Sequence, residues 1–153
     1  MKQGSEATQK PKLVGVNHIA LEVGDVEEAL AFYAKIFEFT LRGKGKGQAF
    51  IDMGDQFINL AETKEPHQDK RRHVGMVVDD RTGIIELITA AGGKLVEGPF
   101  LDFLDPWGNR IEIVGYDNIQ FTKAANVLRG MGLAHLSKNR NAIKELKDKG
   151  MSP

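Results

Sequence analysis

DPWGNRIEIVG, residues 105–115, is the stretch on which the reading of the fold turns. Pro106 presets the backbone for the second position of a turn, and Gly108 supplies a conformation that other residues resist. Behind the turn, Ile111, Ile113 and Val114 read as a strand, with Glu112 set between two isoleucines. A carboxylate in an apolar strand needs a partner, because burying an unpaired charge is costly.

The same arrangement occurs once before. Asp52 precedes Ile58-Asn59-Leu60 as Asp105 precedes Ile111-Glu112-Ile113, with Asn59 and Glu112 each seven residues on. Upstream, His18 and His73, Asp25 and Asp80, Leu30 and Ile85, and Tyr33 and Ile88 are each 55 residues apart. The closing strands are 53 apart, so the second copy has lost about two residues in a shortened middle hairpin, Gly98–Leu104. Duplication in register of turn, cap, stripe and strand implies two copies of one unit related by a pseudo-twofold axis.

Each copy reads as strand, helix and three strands. In the first, Leu13–Val23 is a buried strand with His18 at its centre. Asp25 caps a helix, with Glu28 completing a capping box, and Val26, Ala29, Leu30, Tyr33, Ile36 and Phe37 form its apolar stripe. Strands are expected over 39–41, 49–53 and 57–60, the first two flanking the glycine-rich turn GKGKG. In the second, residues 73–78 form a strand and Asp80 or Thr82 caps a helix. Ile84, Ile85, Ile88 and Ala91 are its stripe, and Gly92-Gly93 stops it. Strands over 94–96, 100–104 and 110–114 follow. The expected division is a disordered N-terminal tail over 1–12, a first βαβββ module over 13–62, a linker over 63–71, a second module over 72–115 and a C-terminal helical extension over 116–153. Within the extension, helices are expected over 122–131 and 141–149, the second with Ala142, Ile143 and Leu146 as its stripe.

Composition narrows the function. Among 153 residues, 21 basic side chains balance 21 acidic ones, so no global field draws the chain to nucleic acid or anionic lipid. There is no cysteine, which excludes disulfides and thiolate metal sites and suits a reducing cytoplasm. No apolar run approaches the ~20 residues of a membrane span, and the polar start MKQGSEATQKPK lacks the apolar core of a signal peptide. The expectation is a cytoplasmic protein with neither nucleic-acid nor membrane partners.

The duplication also decides the chemistry. An axis between the copies brings equivalent strand centres together: His18 and His73 from the first strands, Asn59 and Glu112 from the last. Two imidazoles and a carboxylate are ligands suited to a divalent Fe, Mn, Zn, Ni or Co ion, with positions left for water or substrate. The metal is then the partner that Glu112 needs.

NHIALEVGDVEEALAFYAKIF, RHVGMVVDD and DPWGNRIEIV together resemble the vicinal oxygen chelate superfamily over residues 13–115. That superfamily includes glyoxalase I, bleomycin-resistance proteins, fosfomycin-resistance enzymes and type I extradiol dioxygenases. The resemblance implies an α+β fold of two paired βαβββ modules whose mixed sheets curl into a cupped half-barrel. It places metal ligands on the first and last strand of each module, at His18, Asn59, His73 and Glu112. Asn59 departs from glyoxalase I, which usually carries a glutamate there. An amide cannot accept a proton at neutral pH and ligates poorly, which counts against ordinary glyoxalase I activity. The His-His-Glu set more nearly resembles the fosfomycin-resistance and extradiol groups.

The expected protein is a homodimeric, metal-dependent lyase, isomerase, transferase or oxygenase acting on a small substrate with neighbouring oxygens. His18, His73 and Glu112 hold one metal per site, within one chain or shared between two, and Asn59 hydrogen-bonds metal-bound water or substrate. The alternative is a metal-free small-molecule-binding protein of the bleomycin-resistance type, since one fold hosts many chemistries. His67, in the linker beside Pro66, reads as solvated, and His135, in the tail without a repeat partner, is left out of the site. The hairpin from Arg42 to Gly47 lacks phosphate-loop spacing and reads as an exposed turn. Its Arg42, Lys44 and Lys46 stand as a minority candidate for attracting a carboxylate or phosphate, and Trp107 reads as a packing residue.

Overall fold

The structure is a computed structural model that describes residues 16–151. The expected N-terminal tail, the first residues of the first strand and the last two residues of the chain lie outside the described residues.

The first module comprises β1 (His18–Val23), α1 (Val26–Ala34), β2 (Leu41–Gly45), β3 (Gln48–Asp52) and β4 (Phe57–Glu62). The second comprises β5 (Val74–Val78), α2 (Ile84–Ala91), β6 (Lys94–Val96), β7 (Asp102–Leu104) and β8 (Arg110–Gly115). Each forms a four-stranded mixed sheet, in the orders β1-β4-β3-β2 and β5-β8-β7-β6. The first and last strands of each module run parallel side by side. The register repeats as well: Ala20 pairs with Asn59 in the first sheet as Gly75 pairs with Glu112 in the second. The chain is α+β, with two βαβββ units and a helical C-terminal extension.

Alternation gives each sheet one core face and one open face. Leu21, Val23, Ile58 and Leu60 are buried from the first sheet, and Phe103, Ile111 and Ile113 from the second. All join one core with Val26, Ala29, Phe32 and Tyr33 of α1. On the opposite face, His18, Ala20, Phe57 and Asn59 of one sheet and His73 and Glu112 of the other are exposed or half-buried.

Several local expectations shift. His18 opens β1 rather than centring it, and its side chain is exposed. Asp25 caps α1 as expected, accepting from the Glu28 amide at 2.8 Å. β2 runs into the glycine-rich stretch, so the turn is confined to Lys46-Gly47, where Gly47 takes φ +70°. Pairing with β3 there outweighs the entropic cost of strand glycines. Neither Asp80 nor Thr82 caps α2. Gly83 precedes the helix in the left-handed region, while Asp80 accepts from the Thr82 amide in the turn before it.

Module two closes on module one through the quoted turn. The Phe32 ring meets Trp107 edge-on at 6.2 Å and Phe103 at 6.4 Å. Asn109 Nδ2 donates to the Glu22 carbonyl at 2.7 Å. Trp107 is thus a packing residue.

The extension forms α3 (Ala125–Gly130) and α4 (Arg140–Asp148) after a 3-10 turn at Tyr116–Asn118. Leu128, Ala142 and Leu146 are buried, whereas Ile143 is exposed, so the apolar stripe of α4 is narrower than its sequence suggests. Lys123 pairs with Asp55, which ties the extension back to the β3–β4 turn. Among the described residues, no helix is long and apolar enough to cross a membrane.

Candidate metal centre

The partner of Glu112 is His73. Parallel pairing of β5 with β8 sets Gly75 opposite Glu112, and His73 lies two residues earlier on the same face. His73 Nε2 stands 3.2 Å from Glu112 Oε2. Gly75 leaves the space above it open, since a Cβ there would meet nothing within 4 Å. The other ring nitrogen, Nδ1, is 2.9 Å from the Arg71 carbonyl, which can only accept, so Nδ1 carries the proton. A bare Nε2 would point a lone pair at a carboxylate oxygen. Two acceptors at that distance call for a cation between them, either a proton on the ring or a metal ion. A histidine whose far nitrogen is tied to a carbonyl is the usual form of a metal-ligating imidazole. The pair supplies two donors of the kind a divalent ion takes.

The first module holds a matching half. His18 Nδ1 lies 2.8 Å from Asn17 Oδ1, and Nε2 is the ring nitrogen without a partner among the described residues. Its ring stacks on Phe57 with centroids 4.7 Å apart and planes 8° from parallel. Asn59 lies on the same open face, and its Oδ1 is buried without a hydrogen-bond partner. A buried carbonyl oxygen left unpaired is costly and is well placed to take a donor from a water or ligand.

The structure brings His73 and Glu112 together and leaves His18 and Asn59 on the other sheet. Among the described residues, no three His, Asp or Glu side chains gather closely enough to hold a metal. His67, in the linker, is exposed as expected, and His135 is exposed too.

Two features escaped the sequence reading. A cleft of about 290 Å³ runs past Glu112, walled by Val114, Phe100, Leu101 and Arg81. Only the shortness of the β6–β7 hairpin signalled it. The buried carboxylate of Asp105, read as a turn residue, accepts from the Tyr33 hydroxyl, the Trp107 and Asn109 amides and Asn109 Nδ2, at 2.7–2.9 Å. Burial pushes this carboxyl up from its ordinary range, against the pull of those donors. Its role is to lock the turn to α1.

The family model for the glyoxalase/bleomycin resistance protein/dioxygenase superfamily matches residues 15–113. The glutathione transferase FosA of Serratia marcescens is 25% identical over 113 residues, which are 66% of this chain and 80% of that protein. The fosfomycin resistance protein FosX of Listeria monocytogenes superposes with a TM-score of 0.58 at 19% identity, covering 68% of this chain and 94% of that one. A glutamine-for-glutamate mutant of that FosX, complexed with Mn(II) and 1S,2S-dihydroxypropylphosphonic acid, also gives 0.58, at 20% identity over 67% and 90%. The chain belongs to the glyoxalase/bleomycin resistance protein/dioxygenase superfamily, known also as the vicinal oxygen chelate superfamily.

Proposed function

We propose that this chain is a divalent-metal-dependent enzyme acting on a small substrate with neighbouring oxygens, of the general kind that its fosfomycin-resistance relatives represent. The observation that carries this reading is the 3.2 Å approach of His73 Nε2 to Glu112 Oε2, with the ring's other nitrogen held by the Arg71 carbonyl. His73 and Glu112 supply two ligands. His18, unable to join them within one chain, supplies the third from a second copy, whose first sheet faces the second sheet of this one. That arrangement supports a homodimer with two shared sites.

A metal so held supplies Lewis acidity, polarising substrate oxygens without itself exchanging protons. The chain's own groups do the rest. Glu112 neutralises positive charge at the site. Asn59 accepts a hydrogen bond through its unpaired Oδ1, orienting a water or a substrate hydroxyl. The cleft beside Glu112, with Phe100 and Leu101 in its wall, admits the apolar part of a small molecule and limits water.

The test is turnover by the purified chain, loaded in turn with Mn, Fe, Zn, Ni or Co. Substrates are fosfomycin with glutathione or with water, methylglyoxal–thiol adducts, and catechols. Metal-dependent turnover of one class that is lost in Glu112→Gln supports the reading. Ligand binding by a protein that takes up no metal contradicts it and favours a binding protein.

A further inference from the structure

We propose that Arg42 is the residue that recognises an anionic group on the substrate, binding a small organic carboxylate, phosphonate or phosphate on the open face of the first sheet. Arg42 lies on the edge strand β2, yet its guanidinium carbon sits 4.7 Å from the centre of the Phe57 ring on β4. To get there the side chain crosses β3, which lies between the two strands. Phe57 in turn stacks on His18, and Phe50 meets Phe57 edge-on at 5.7 Å. Arg42, Phe57 and His18 thus form one row across the sheet, ending at an imidazole.

Among the described residues, the guanidinium is held by one face and has no hydrogen-bond partner at its edges. No carboxylate among the described residues pairs with it, whereas Lys44 of the same hairpin pairs with Glu27. A stacked, pre-oriented arginine with unengaged N–H groups suits bidentate capture of an oxyanion. The equivalent place in the second module shows the contrast. Arg110, which replaces Phe57 there, spends its guanidinium on Asp102 and the Lys70 carbonyl. Arg81, in the cleft near Glu112, shares a neighbouring pocket wall with Asp79, Asp80 and Asp117. Of these three, Arg42 alone has an aromatic platform, and among the described residues no carboxylate pairs with it.

The ligand that fits this row has an oxyanion at one end against Arg42, a short apolar middle over Phe50 and Phe57, and oxygens at the other end toward His18. The assignment rests on the proposed function for the role of that ligand as substrate, but the anion site itself requires no metal. Its test uses metal-free protein titrated with methylphosphonate and followed by NMR at the Arg42 side-chain N–H and the Phe57 ring. Expected are saturable shifts at both residues, affinity at least tenfold weaker in Arg42→Gln, and affinity unchanged in Lys44→Gln. Equal affinity in the native protein and Arg42→Gln overturns the proposal, as does an equal loss in Lys44→Gln or a titration with no saturation. Metal content, measured separately, reports on the enzyme reading, so failure of one is distinguishable from failure of the other.

Discussion

Tyr33 and Asp105 are 72 residues apart in the chain, and the tyrosine hydroxyl donates to Asp105 Oδ2 at 2.8 Å inside the core. Burial holds the Tyr33 hydroxyl well above its ordinary pKa, so it remains a donor throughout the physiological range. Tyr33→Phe removes one of the donors to a buried carboxylate. Hydrogen bonds to charged groups contribute about 1.5–3 kcal/mol, and a loss of that order is expected in urea unfolding, with metal content unchanged.

The same carboxylate gives a pH signature. Its native-state pKa is raised, chiefly by burial, so the native state holds the proton more tightly than the unfolded chain. Its contribution to stability is greatest below the ordinary carboxylate range and is lost as pH rises through the native-state value. Native stability minus that of Asp105→Asn therefore falls as pH rises from the ordinary carboxylate range through the raised native-state value. A difference that is flat or rises with pH refutes this assignment.

Gly108 takes φ +92°, and a Cβ there would lie 2.6 Å from the Cα of Gln68. Its carbonyl also accepts from the Asp69 amide at 2.8 Å, fastening the segment before β5 to the turn. Left-handed backbone costs a non-glycine residue about 1–2 kcal/mol, and the clash adds to it. Gly108→Ala is expected to destabilise by more than about 2 kcal/mol, read as a fall in Tm, and a loss within error contradicts the close approach.

Lys138 donates to the carbonyls of Tyr116 and Phe121 and lies 3.5 Å over the Tyr116 ring. It holds the extension against the end of β8. Burial lowers its pKa, so removing the charge while keeping the chain volume is a fair test of the clasp. Lys138→Met is expected to speed hydrogen exchange and proteolysis over residues 119–151 while leaving amides of β1 and β4 protected. Equal protection throughout contradicts the clasp.

How much of this was legible in the sequence follows from the range of each interaction. The duplication was, because strand pairing preserved it residue by residue: Ala20 with Asn59, Gly75 with Glu112. The approach of His73 to Glu112 follows from that register, and Glu112's place between two isoleucines announced that it needed a partner. The Tyr33–Asp105 lock was not legible, since nothing local distinguishes a turn aspartate that bonds its own loop from one that also reaches a distant helix. Arg42 was misplaced for a related reason. Glycine-rich sequence reads as turn, but pairing with β3 extends β2 through Gly45 and leaves Arg42 at a bulge between Leu41 and Gly43. The separation of His18 from His73 depends on how the modules pack, through Phe32, Trp107 and Asn109, which no spacing encodes.

The most direct test of a shared metal site is the metal content of a mixed dimer. Chains carrying His18→Ala and His73→Ala, separately tagged and co-expressed, are isolated as the heterodimer and analysed beside the native protein and each variant homodimer. The account predicts one divalent ion per chain in the native protein, almost none in either variant homodimer, and one ion per heterodimer, where a single site regains all three ligands. A heterodimer as empty as its parents, or a native protein that takes up no metal, contradicts it.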